Sequence, residues 1–302
     1  LHDDRPRRTS RLKEIDSTET FFKMMYSMLR AKWETLSPGR ILSVCMPLAL
    51  MGILSAEPEK AETTPTVEKP DIKMSETGEE LSLPGLKIQV KEHYVDVDSK
   101  VCLSEGFLEL IACAKDTKEH ESIIAVQAKA AHIHAALLLL RAQPGNPAMR
   151  KPIEGQEGRW VDLPPRGSKV DVFLVVEDEN GKPVERPISD FIMKGDEGYG
   201  PEFEAREKGA KIPFPTHTFL FAGSHVYKQG EGPPVYLADV DGNVISISTF
   251  GDELLCLPDV LGHGNEGLVW AVDSTHLPEI GTKVLLRLRP QQSDAAPAEK
   301  KD

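Results

Sequence analysis

Positive charge is what this chain lacks most: 36 Lys and Arg stand against 48 Asp and Glu, a formal net charge of -12 with a pI near 5.3. Nucleic acid and anionic lipid headgroups both require clustered cationic surface, so neither is expected as a partner. Long apolar runs are lacking too. The apolar stretch from Ile41 to Ala56 falls short of the about 20 residues that cross a bilayer core and is interrupted by Pro47. Gly and Pro, 23 each in 302 residues, are at ordinary levels, which excludes a collagen-like or low-complexity chain. Cysteine is limited to four residues, Cys45, Cys102, Cys113 and Cys256.

What is present begins with that apolar stretch. Arg30, Lys32 and Arg40 precede it, and Ser55-Ala56 leads straight into Glu57-Pro58. A basic flank, an apolar centre and a small-residue exit are the parts of a secretory signal peptide. Residues 1–56 are therefore expected to be removed on export, with the true start at Met24, Met25 or Met28, and no transmembrane segment is expected after cleavage. Cys45 sits near the beginning of the apolar stretch, where an acylated cysteine would not, so lipidation is not expected. Beyond residue 56, 27 basic side chains face 42 acidic ones. The expected location is the periplasm or cell envelope of a bacterium.

Residues 57–84 carry eight acidic side chains, four prolines and few large apolar groups. Such a segment buries too little surface to offset its ordering entropy and is expected to be a disordered, charge-extended linker. Residues 291–302 form a second polar tail, which leaves 85–290 as one domain. Three cysteines remain after export, an odd number. Cys102 and Cys113 flank Ser104-Glu105-Gly106, and if those three make a hairpin turn the two thiols are not opposite each other. They are expected to be small buried residues rather than a disulfide.

Within the domain the dominant period is two. Leu86, Ile88 and Val90 alternate with polar neighbours, as do Val95 and Val97, Ile245 and Ile247, and Val284, Leu286 and Leu288. These predict half-buried strands. Further strands are expected at residues 107–113, 122–126, 218–222 and 268–272. Asn180-Gly181 after residues 170–176, and Asp241-Gly242-Asn243 between residues 235–238 and 244–249, carry hairpin chemistry. One helix interrupts the pattern, Lys129 to Arg141, rich in Ala and Leu and stopped by Pro144-Gly145. The fold class expected is α+β, mainly antiparallel strands with one buried Ala/Leu-rich helix.

The run from Val101 to Cys113, the sequence Lys118-Glu119-His120-Glu121-Ser122-Ile123, the Ala/Leu helix with its Pro144-Gly145 end and the corner Phe221-Ala222-Gly223-Ser224 together resemble the YdjY-domain proteins of bacteria. The resemblance covers Leu86 to Arg289 and implies export, a Gly-centred hairpin before a strand that starts His-x-Ser, and no particular chemistry. Some relatives carry a cysteine cluster in the C-terminal third. Here the similar stretch has Cys256 alone, so a cluster held by four thiolates cannot be built.

Candidate ligand-binding residues are His120, Glu121, Ser122, Ser224 and His225, from the two recognised segments. On a strand His120 and Ser122 share a face and Glu121 takes the other. Ser224-His225 lacks the Gly-x-Ser-x-Gly elbow of hydrolases. A site would require these two segments to converge. His132 and His134 lie about 200° apart on a helix and cannot grip one ion. Asp239 to Asn243 has its glycine too early for a calcium loop. The loops Gly262 to Gly267 and Asp196 to Gly200 read as exposed loops. No metal and no cofactor are expected. The function expected is that of an exported, non-enzymatic module that binds an envelope ligand or protein; the alternative is an envelope hydrolase or metal-dependent enzyme.

Overall fold

The computed structural model of the protein describes residues 72–75, 78–156, 158–195, 211–228, 234–261 and 269–292. The expected signal region, most of the linker and tail, and the 196–200 and 262–267 loops lie outside them. In chain order the first strands are β1 (Lys73–Met74), β2 (Glu80–Leu83), β3 (Leu86–Gln89), β4 (Tyr94–Val101), β5 (Leu110–Ala114) and β6 (Ser122–Val126), followed by helix α1 (Ala130–Leu139). Next come β7 (Pro144–Asn146), β8 (Met149–Pro152), β9 (Trp160–Leu163), β10 (Arg166–Gly167), β11 (Lys169–Glu177), β12 (Pro183–Pro187) and β13 (Ile192–Lys194). The last are β14 (Thr218–Phe221), β15 (Val226–Tyr227), β16 (Val235–Tyr236), the short helix α2 (Leu237–Val240), β17 (Asn243–Ser246), β18 (Leu255–Cys256), β19 (Trp270–Val272) and β20 (Lys283–Pro290).

These strands correct the expected fold class. Of the described residues 45% are strand and 11% helical, and eight strands close into a mixed barrel rather than an antiparallel α+β sheet. The circuit runs β4, β20, β11, β14, β18, β17, β5, β6, and the β6 to β4 pairing closes it. Two neighbours in it are parallel, β5 with β6 and β17 with β18.

Alternation explains the antiparallel half. In β4, β11 and β20 every second side chain is buried, among them Val95, Val97, Val172, Leu174, Leu286 and Leu288, each fully enclosed. Each such burial stabilises by about 1.5–3 kcal/mol. The other face of these strands is polar. Arg287 forks onto Asp96 at 2.7 and 2.8 Å, reaches Glu185 at 2.7 Å and covers the Tyr94 ring at 4.0 Å. By contrast β6 and β17 are buried at every position, and β5 at all but Ala114. Strands covered on both faces read as continuous apolar runs.

The Asn180-Gly181 turn joins β11 to β12 as an antiparallel hairpin, with Gly181 at φ 72°. Two other turns differ from expectation. β5 pairs with β6 and β17 rather than with β4, so Ser104 to Gly106 is not a hairpin turn. Residues 235–238 do not form one strand either. β16 pairs with β15, α2 follows, and Asp241-Gly242 leads into β17, which pairs with β5 and β18. Gly242 is required there because a Cβ would sit 2.2 Å from Thr117 Oγ1. The sheet also begins before residue 85: Leu81 and Leu83 are buried in β2, which pairs with β3.

Helix α1 matches its prediction closely and is buried around most of its surface. Lys129 provides no side-chain cap, and Asp239 of α2 takes that place by accepting the Ala131 N–H at 3.3 Å. Among the described residues no helix is long and apolar enough to cross a membrane.

Candidate functional site

Parallel neighbours usually need a crossover of a dozen or more residues. Here residues 115–121 return the chain from β5 to β6, and residues 247–254 return it from β17 to β18. Both returns are short and run tight against the barrel wall, and their side chains meet. Lys118 Nζ lies 3.6 Å from the Phe250 ring centroid and donates to Asn243 Oδ1 at 2.9 Å. Asn243 Nδ2 in turn donates to Asp252 Oδ1 at 2.6 Å. An ammonium only donates and a carboxylate only accepts, so the Asn243 amide has one usable orientation. Glu121 stands 4.0 Å from Lys118. Burial pushes the Asp252 carboxyl up to about 6; Asp241 and Glu253 add to the rise and the Asn243 hydrogen bond opposes it.

The Gly223-Ser224 corner lies at the far end of this chain of contacts. Both residues have positive φ, 89° and 51°. Ser224 Oγ donates to Asp252 O and accepts the Ala238 N–H at 3.1 Å. Tyr236 donates its hydroxyl to Gly223 O at 2.9 Å, and the same oxygen lies 2.9 Å from His134 Nδ1. The Tyr236 hydrogen is already committed, so His134 Nδ1 carries the proton in this bond. His134 packs edge-on to Phe221 at 4.7 Å, and burial holds its imidazole down to about 3, a neutral side chain across the physiological range.

The residues expected from sequence fall at both ends of this network. His120 lies in the 3₁₀ turn Glu119–Glu121 rather than on the strand; its side chain is 78% exposed, with Nε2 3.7 Å from Glu121 Oε2. Ser122 opens β6, fully buried, and donates Oγ to Lys118 O at 2.8 Å. Ser224 is buried on Asp252 as above, and half-buried His225 accepts the Leu237 N–H on its carbonyl at 2.9 Å. Ser122 and Ser224 thus engage different carbonyls and are linked through Lys118, Asn243 and Asp252. Those three, with Phe250 and Tyr236, are the residues that sequence reasoning missed. Lys118 and Asn243 stand 125 positions apart. No local spacing relates them.

His132 and His134 diverge, His132 toward the Pro84 carbonyl and His134 toward Tyr236. Among the described residues no three His, Cys, Asp or Glu side chains are grouped so as to hold a metal ion. Cys102, Cys113 and Cys256 are free thiols.

No curated protein and no solved structure matches the chain. A family model does, over residues 86–289, which span β3 to β20 and so take in the whole barrel and both returns. That model is the YdjY domain, and the chain belongs to the YdjY-domain family.

Proposed function

We propose that the chain is an exported module of the bacterial cell envelope that binds a ligand or protein partner without transforming it, through the face where the two parallel returns meet. One observation carries this reading. The two serines best suited by sequence to act as nucleophiles are buried and give their hydrogens to main-chain carbonyls, Ser122 to Lys118 and Ser224 to Asp252. A nucleophilic serine needs a base at its hydroxyl. These two instead pin the returns in place. Around them the Lys118 and Glu121 side chains are 25% and 20% exposed, and the partly buried Phe250 ring carries the Lys118 ammonium. A cation and a carboxylate reaching the surface together suit a polar ligand held by charge-assisted hydrogen bonds. The apolar stretch before Ala56 supports export, and the acidic segment after it supports a tether.

The test is expression of the full precursor in a bacterium with a photo-crosslinking residue in place of Phe250. The expected result is a processed chain in the envelope fraction that gives a discrete adduct lost in Lys118→Glu. An unprocessed cytoplasmic chain overturns the export reading, and an adduct indifferent to Lys118 overturns the contact face.

The competing reading, an envelope hydrolase, draws on Asp252, whose carboxyl is raised to about 6. Perturbed carboxyls concentrate at functional sites. That reading requires turnover that changes near pH 6 and is lost in Asp252→Asn.

A further inference from the structure

Strands β8 and β9 form a two-stranded sheet of their own, outside the barrel circuit. Arg150, Lys151 and Pro152 on β8 and Trp160, Val161 and Asp162 on β9 are all exposed, and Met149 and Leu163 at the base of the hairpin are half-buried. Trp160 and Val161 keep 51% and 45% of their surface in solvent. An isolated two-stranded hairpin is marginally stable in water and gains from a surface laid against it.

Register divides the hairpin into two faces. Pro152 stands opposite Trp160, and Arg150, two positions along, stands opposite Asp162, so these four side chains share one face. Lys151 with Val161 and Met149 with Leu163 take the other. The first face thus carries an apolar row and, beside it, an ion pair. Arg150 Nε lies 2.7 Å from Asp162 Oδ1, with the side chains 74% and 77% exposed. At that exposure the pair is worth little within one chain.

We propose that this face is a homodimer contact, through which the hairpins of two copies of the chain pack about a two-fold axis parallel to the strands. The charge pattern selects a second copy as the occupant. Such an axis lays β8 of one chain over β9 of the other and keeps each row at its own level. Arg150 then meets Asp162 of the second copy, and Trp160 meets Pro152 of the second copy. No like charges are opposed, and the two ion pairs close into a ring of alternating sign. Arg150 Nε stays with Asp162 of its own chain, which leaves the terminal nitrogens of the guanidinium to grip the second carboxylate. The tryptophan and proline rings leave water together, and Trp and Arg are the side chains on which interfaces most often depend. The opposite face has no such match: the same operation sets Lys151 on Val161, with no anion in either row. A self-complementary contact closes as an isologous pair and does not propagate. Four side chains a side bury less than the about 800 Å² per partner of a standard interface, so the dimer is weak and forms at high concentration. The inference is independent of the contact face at Lys118.

The test is sedimentation velocity of the full chain from about 1 μM to about 1 mM, over which wild type is expected to pass from monomer toward dimer. Arg150→Asp and Asp162→Arg are each expected to remain monomeric, because like charges then face each other. An equimolar mixture of the two is expected to dimerise, since one presents two carboxylates and the other two guanidinium groups. The mixture separates contact between chains from the ion pair within one chain. Trp160→Ala, which leaves the charges in place, is expected to weaken association about tenfold or more. A monomer throughout, whether the face is bare or covered by another segment of the same chain, a dimer that persists in either charge variant alone, a mixture that stays monomeric, or an association indifferent to Trp160→Ala overturns the proposal.

Discussion

His134 Nδ1 lies 2.9 Å from the Tyr236 hydroxyl, and because that hydroxyl donates to Gly223 O, its oxygen is left to accept the Nδ1–H of the matching His134 tautomer. Tyr236→Phe removes an acceptor and a donor together and leaves two buried polar groups without it. The expected loss of stability is about 2 kcal/mol by urea denaturation. A loss within a few tenths of a kcal/mol would mean that the hydroxyl does not join the helix to the corner.

His134 and Asp252 impose opposite pH dependences. Unfolded, the imidazole takes up its proton near 6.5, whereas folded it resists until about 3. Its contribution is complete above 6.5 and is lost on acidification through that window, at about 1.4 kcal/mol per pH unit. Folded Asp252 keeps its proton up to about 6, against 3.8 unfolded. Its contribution is complete below 3.8 and is lost as pH rises through 6. Between about pH 4 and 6 the two slopes cancel. Stability measured across that range should therefore fall more steeply on acidification in Asp252→Asn than in wild type, and tilt the other way in His134→Gln. Parallel curves for all three proteins would rule this pairing out.

Asn243→Ala removes the amide that donates to Asp252 at 2.6 Å. The Asp252 carboxyl should then titrate higher than in wild type, because the lost hydrogen bond favoured its charged form. Carboxyl carbon NMR reads the titration directly. An unchanged or lower midpoint would place the Asn243 amide outside the relay.

Arg287 is matched to Asp96 by both arms of its guanidinium and to Glu185 by one more contact. Arg287→Met should destabilise by about 2 kcal/mol, since two partly buried carboxylates lose their partner. Arg287→Lys should recover less than half of that, because an ammonium cannot reproduce the fork. Full recovery by lysine would reduce the interaction to simple charge.

Much of the antiparallel half is legible in sequence. Strict alternation locates β4 and β20, and Asn180-Gly181 marks a true hairpin. In the parallel half the predicted strand at residues 122–126 coincides with β6, but its pairing is not legible. Leu-Ile-Ala-Cys-Ala in β5 and Ser-Ile-Ile-Ala-Val in β6 are nearly continuous apolar runs, and such runs carry no face to say which strand lies beside them. Closure of the barrel rests on β4 meeting β6, a pairing between strands separated in sequence by β5 and a turn. The site divides in the same way. Ser122 and Ser224 stand out locally, whereas Lys118, Asn243 and Asp252 acquire meaning when two non-local returns touch. His120 drew notice by its neighbours, and its exposure is a tertiary property that no residue pattern announces.

The central claim is that the serines of this site hold structure and do not react. The most direct measurement is treatment of the folded full chain with a fluorophosphonate, followed by peptide mass spectrometry. Unmodified Ser122 and Ser224, under conditions that label a serine hydrolase control to completion, is the predicted result; a phosphonyl adduct on either hydroxyl would contradict it.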